Sequence, residues 1–156
     1  MQARKAVPAV HSTLVFERSV PADIQAVYEA FSDVSKRVVW GTPSSTAVVL
    51  YESANFMEGG EDRFKCGSKE NPNILATTRY LEIVVNARIV ASETLEVDGN
   101  RLCASLTTHE FTPSAQGTEL KSTVQIVSFV GEAMIDGFEQ GNNSTLDNLV
   151  RWFQRQ

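Results

Sequence analysis

Histidine and cysteine are scarce in this chain. There are two of each: His11, His109, Cys66 and Cys103. Two cysteines make neither a disulfide framework nor a zinc site, so each is expected as a buried or half-buried free thiol. The histidines have no partner at metal-ligand spacing, and no metal or cofactor is expected. Basic residues are also short, 14 against 19 acidic, for a net charge of −5. A broad basic face for nucleic acid or an anionic membrane surface is thereby excluded. No apolar run approaches the length of a membrane span. Repeats, low-complexity tracts, a Gly-rich phosphate loop and a nucleophile elbow are all missing.

What remains is an ordinary globular composition, 42% hydrophobic and 21% charged over 156 residues, enough for one domain with a real core. Residues 1–10 read as a flexible tail and 11–156 as the domain. Arg4 and Lys5 are not followed by an apolar stretch, so a cytoplasmic chain without a signal peptide is expected.

The most informative segment is the last, Gly131 to Gln156. Ile135, Phe138, Leu146, Leu149 and Phe153 recur at helical spacing and share one face. Asn142 interrupts that apolar stripe, amid the small polar run Gly141 to Thr145. A helix resting on a solid core calls for an apolar residue there; a helix spanning a cavity does not. Glu132 and Asp136 near the start and Arg151 and Arg155 near the end suit the helix macrodipole.

Ahead of it, His11 to Val20 alternates as a strand. Asp23 then caps a helix carrying Ile24, Val27, Tyr28 and Phe31 at helical spacing. Asp33 to Trp40 is a second short helix, stopped at Gly41-Thr42-Pro43. Six strand-like runs follow: 47–53, 62–68, 74–85, 88–97, 101–112 and 118–128. Asp98-Gly99 is the strongest turn signal between them. The short connections imply antiparallel pairing. The fold class is therefore α+β, with helices on one face of an antiparallel sheet.

Several stretches together resemble a known family. They are Val15 to Ala22 followed by Val27 to Asp33, Tyr80 to Ile83 running into Arg88 to Val90, Gly117 to Leu120, Asp136 to Gly141, and Leu146 to Leu149. Their order is similar to the START/Bet v 1-like (SRPBCC) superfamily, and within it to bacterial proteins like the C-terminal domain of the Hsp90 ATPase activator. Relatives often place prolines where this chain has Val85-Asn86. The resemblance implies a helix-grip fold: about seven strands curved around a long C-terminal helix, with a cavity between. It does not imply one activity.

Candidate site residues follow, each with a plainer alternative. Asn142 points at a cavity or else serves buried backbone. Glu93 shares a strand face with Ile89, Ala91 and Leu95. It is a cavity carboxyl fit for acid–base work if that face is inward, and a solvated rim residue otherwise. Tyr80 and Glu82 are placed on one face by period-two alternation, with Tyr80 lining the pocket, and Glu82 alternatively pairing with Arg88 or Lys121 on the surface. His109 is a weak catalytic candidate; with neighbouring Glu110 it forms no dyad, because adjacent strand residues face opposite ways. Trp40, Phe64, Met134 and Phe138 are candidate walls, or simply core.

Three functions are weighed. The first is binding of an apolar or amphipathic small molecule. The second is a cyclase- or dehydratase-type enzyme using Glu93, Tyr80 or His109. The third is a co-chaperone-like domain for an Hsp90-type ATPase. A homodimer through a sheet edge or helix face is compatible with all three.

Overall fold

The computed structural model describes residues 5–156. The expected tail falls partly outside that range; residues 5–9 have no regular structure, and Val10 already pairs with Ser128.

The chain runs β1 (Val10–Val20), α1 (Ile24–Ser32), α2 (Val34–Gly41), β2 (Ala47–Ser53), β3 (Glu61–Ser68), β4 (Ile74–Val84), β5 (Arg88–Val97), β6 (Asn100–Ser114), β7 (Gly117–Ser128) and α3 (Glu132–Gln154). One seven-stranded antiparallel sheet has the order β1-β7-β6-β5-β4-β3-β2. Strands β2 to β7 form a meander. β1 closes against the last strand, so β1 and β2 are the two edges. This is the curved-sheet, helix-grip architecture, with α3 lying across β1, β7 and α2.

Local chemistry accounts for the elements. Leu14, Phe16 and Val20 of β1 point inward, as alternation requires. Asp23 caps α1 by accepting from Ala26 N at 2.8 Å. Asp33 ends α1 and caps α2, accepting from Ser35 N at 2.9 Å. Asp98 and Gly99 both have positive φ, 51° and 78°, the primed hairpin turn that their identities favour. At the β4–β5 turn, Asn86 stands at φ 60°, a left-handed position that asparagine tolerates and proline cannot adopt.

The core lies between α3 and the closed half of the sheet. Val20, Val27, Leu120, Val124 and Leu149 are almost wholly buried. Toward β2 and β3 the apolar filling gives way to a cavity. No helix among the described residues is long and apolar enough to cross a membrane.

A cavity between sheet and long helix

The cavity occupies about 250 Å³. Each lining element contributes by its own periodicity. Phe138, Asn142, Thr145 and Leu146 come from α3 at spacings of four, three and one, so they form one helical stripe. Arg37 and Trp40 come from α2, three residues apart. Thr78 and Tyr80 come from β4; Ile89, Ala91 and Glu93 from β5; Thr107 and His109 from β6. Tyr51 of β2 and Phe64 of β3 close the open edge of the sheet.

Strand register turns these residues into rows. Asp62 faces Thr78, Thr78 faces Glu93, and Glu93 faces Ser105, so one polar row crosses four strands. Ile89, His109 and Ser122 form another. His109 Nδ1 lies 2.7 Å from Ser122 Oγ, a directly opposed cross-strand pair. Burial lowers the His109 imidazole to about 4, which keeps the ring neutral at ordinary pH.

Glu93 faces inward, not into solvent. Its Oε2 accepts from Thr78 Oγ1 at 2.8 Å. Burial pushes its carboxyl up, the Thr78 bond pulls it back, and the nearby Asp62 charge adds to the rise. The net effect is upward from the ordinary carboxyl value. The residue is half-buried and lines the cavity.

The strongest polar group was not singled out from the sequence. Asp62 is wholly buried. Its carboxylate accepts from Arg37 Nη1 at 2.7 Å, from the Tyr80 hydroxyl, and from Asn55 N at 2.8 Å. Arg37 Nη1 also donates to Tyr80 Oη at 2.8 Å. The Arg37 guanidinium lies 5.2 Å from the centre of the Tyr51 ring, within cation–π range. Yet Arg37 Nε and Nη2 are buried without a partner among the described residues. Each such orphan costs about 1–3 kcal/mol. Burial raises the Tyr51 phenol to about 12 and Tyr80 further still, so both stay protonated. One signal for Asp62 was available: alternation puts it on the face of Phe64. Likewise Arg37 precedes Trp40 by one helical turn.

Tyr80 and Glu82 do not share a face. A β-bulge at Leu81 pairs Tyr80 with Ala91 but Glu82 with Val90. One extra residue reverses the alternation, so Tyr80 is 4% exposed inside while Glu82 bonds Arg88 Nε at 2.8 Å on the surface. Tyr80, Trp40, Phe64, Phe138, Asn142, Glu93 and His109 all line the cavity. Met134 does not; it packs half-buried against the core. Trp40 also donates from its indole to Ala30 O at 2.8 Å. Asn142 Nδ2 donates to Phe138 O at 2.9 Å, a local helix bond that leaves its amide oxygen without a partner among the described residues. Cys66 and Cys103 are free. Among the described residues no group of three His, Cys, Asp or Glu could hold a metal ion.

The profile of the family described as Activator of Hsp90 ATPase homolog 1-like protein matches residues 21–154. An uncharacterized protein from Rhizobium leguminosarum is 32% identical, with a TM-score of 0.85 over 96% of this chain and 98% of that one. The Mll3558 protein from Rhizobium loti is 30% identical, with a TM-score of 0.80 over 93% and 99%. CV1439 from Chromobacterium violaceum shares the fold at 22% identity and a TM-score of 0.78 over 90% and 96%. No curated protein matches the chain.

Proposed function

The chain belongs to the Activator of Hsp90 ATPase homolog 1-like family, and on that premise we propose that it binds a small molecule in the cavity between sheet and α3. The observation that carries this reading is the cavity itself. Apolar walls, among them Trp40, Phe64, Ile89 and Phe138, enclose a few convergent polar groups, the usual make-up of a ligand pocket. At about 250 Å³ it lies just below the usual range for such sites, about 300–1,000 Å³, which favours a compact molecule over a long-chain lipid. Asn142 and Tyr80 belong to the polar set of this reading: Asn142 by its unpartnered oxygen, Tyr80 by fixing Arg37 and Asp62.

An acid–base enzyme is the second reading. Its support is Glu93, a cavity carboxyl whose surroundings favour the protonated form. The family description is what speaks for the third, an Hsp90-type partner.

The test is an organic extract of the denatured protein, analysed by mass spectrometry beside an Ala91→Phe variant. Ala91 is a small residue on the cavity floor, so a phenyl group there fills the space. A compound present in the wild-type extract and missing from the variant supports binding. Identical extracts contradict it. If such a compound is then turned over, and Glu93→Gln binds it without turnover, the enzyme reading replaces simple binding.

A further inference from the structure

Arg37 is only half used. Asp62 and Tyr80 both meet it at Nη1, while Nε and Nη2 are buried without partners among the described residues. Those two nitrogens are not arbitrary. Nε–H and Nη2–H form one edge of the planar guanidinium, two parallel donors spaced for both oxygens of a carboxylate. Asp62 leaves that edge free, and its own accepting capacity goes to Arg37, Tyr80 and Asn55. Glu93 is the acidic residue that lines the cavity; its carboxyl accepts from Thr78 Oγ1, and burial pushes it up. Against the guanidinium stands Tyr51. Its ring lies 5.2 Å away, its hydroxyl bonds no protein group among the described residues, and it sits on edge strand β2 at a break in the β2–β3 register.

We propose that the ligand of this cavity carries a carboxylate, gripped by Nε and Nη2 of Arg37 once the Tyr51 ring moves aside. This rests on the ligand-binding reading and narrows it to small carboxylic acids with an apolar body.

Benzoate and its neutral isostere benzamide separate the two ideas. Affinities are measured calorimetrically, and the Arg37 Nε–H resonance is followed by ¹⁵N NMR, assigned by its loss in Arg37→Lys. Benzoate is expected to bind roughly tenfold tighter than benzamide and to move that resonance, as a charge-assisted two-pronged bond would. Arg37→Lys should bring the two probes to equal affinity. Tyr51→Ala keeps the Arg37–Asp62 pair and should tighten benzoate; an unchanged value contradicts the role of Tyr51 as cover. Equal wild-type affinities, or benzoate bound with the Nε–H signal unmoved, overturn the carboxylate inference and leave the ligand-binding reading standing. Entry of neither probe removes both.

Discussion

Arg37 Nη1 on α2 and Asp62 Oδ2 on β3 stand 2.7 Å apart, with Asp62 entirely out of solvent. The pair ties the second helix to the open side of the sheet and fixes Tyr80 at the cavity wall. Removing one partner leaves a buried charge alone. Asp62→Ala is therefore expected to destabilise by about 3–5 kcal/mol in urea denaturation. The double variant Arg37→Met with Asp62→Leu, which removes both charges, should recover most of that loss. A double variant as unstable as the single one would show that the pair itself, and not the orphaned charge, sets the cost.

Gly60 supports the same cluster from behind. A Cβ there would stand 2.2 Å from Asn55 O and 2.8 Å from Met57 O, both backbone atoms. Gly60 O also accepts from Tyr80 N at 3.0 Å, and Asn55 N donates to Asp62. Gly60→Ala should cost about 1–3 kcal/mol, as overpacking does, and should disturb the Tyr80 and Asp62 resonances. Wild-type stability in this variant would contradict the close approach.

His109 makes stability depend on pH. Its folded value is lowered to about 4, while an unfolded histidine titrates near 6.5, so between these values the unfolded state holds more protons. The stabilisation is complete above about 6.5 and is lost as pH falls through 4, in total about 3 kcal/mol. His109→Gln should remove this rise of stability with pH in denaturation curves recorded across the window, leaving the contributions of the other groups. An unchanged slope would assign it to other groups.

Glu93 acts with the opposite sign. Its folded value is raised, so the unfolded chain loses this proton first. Its contribution is present below the unfolded carboxyl value, about 4.3, and is lost as pH rises through the folded one. Glu93→Gln should therefore be more stable than wild type at neutral pH while keeping the Thr78 bond. Where their titration ranges overlap, above about 4.3, the two groups oppose, so His109→Gln should show a falling profile and Glu93→Gln a steeper rise where the wild type is flatter. A Glu93→Gln protein less stable than wild type at neutral pH would contradict the buried neutral carboxyl.

Much of the fold was legible in local patterns. The alternation of β1, the Asp23 and Asp33 caps, the Asp98-Gly99 turn and the stripe of α3 each follow from neighbours within a few residues. Sequence spacing also put Phe138, Asn142 and Leu146 on one face. It failed at Glu82, because a single bulged residue reverses the face and leaves no local mark at Leu81. The inward face of β5 could not be chosen from Glu93 alone, since an acid among apolar residues reads equally as rim or pocket. The Arg37–Asp62 pair was beyond local reading: its members are 25 residues apart, and their meeting depends on how α2 sits against the sheet.

The account rests on the space between the sheet and α3 accepting a small molecule. The most direct measurement is a benzamide titration followed in ¹H–¹⁵N NMR spectra of the wild type and of Ala91→Phe. Saturable shifts at Ala91, Phe138 and Asn142, lost in the variant, are the expected result. Shifts confined to residues outside the cavity, or an identical titration in Ala91→Phe, would contradict it.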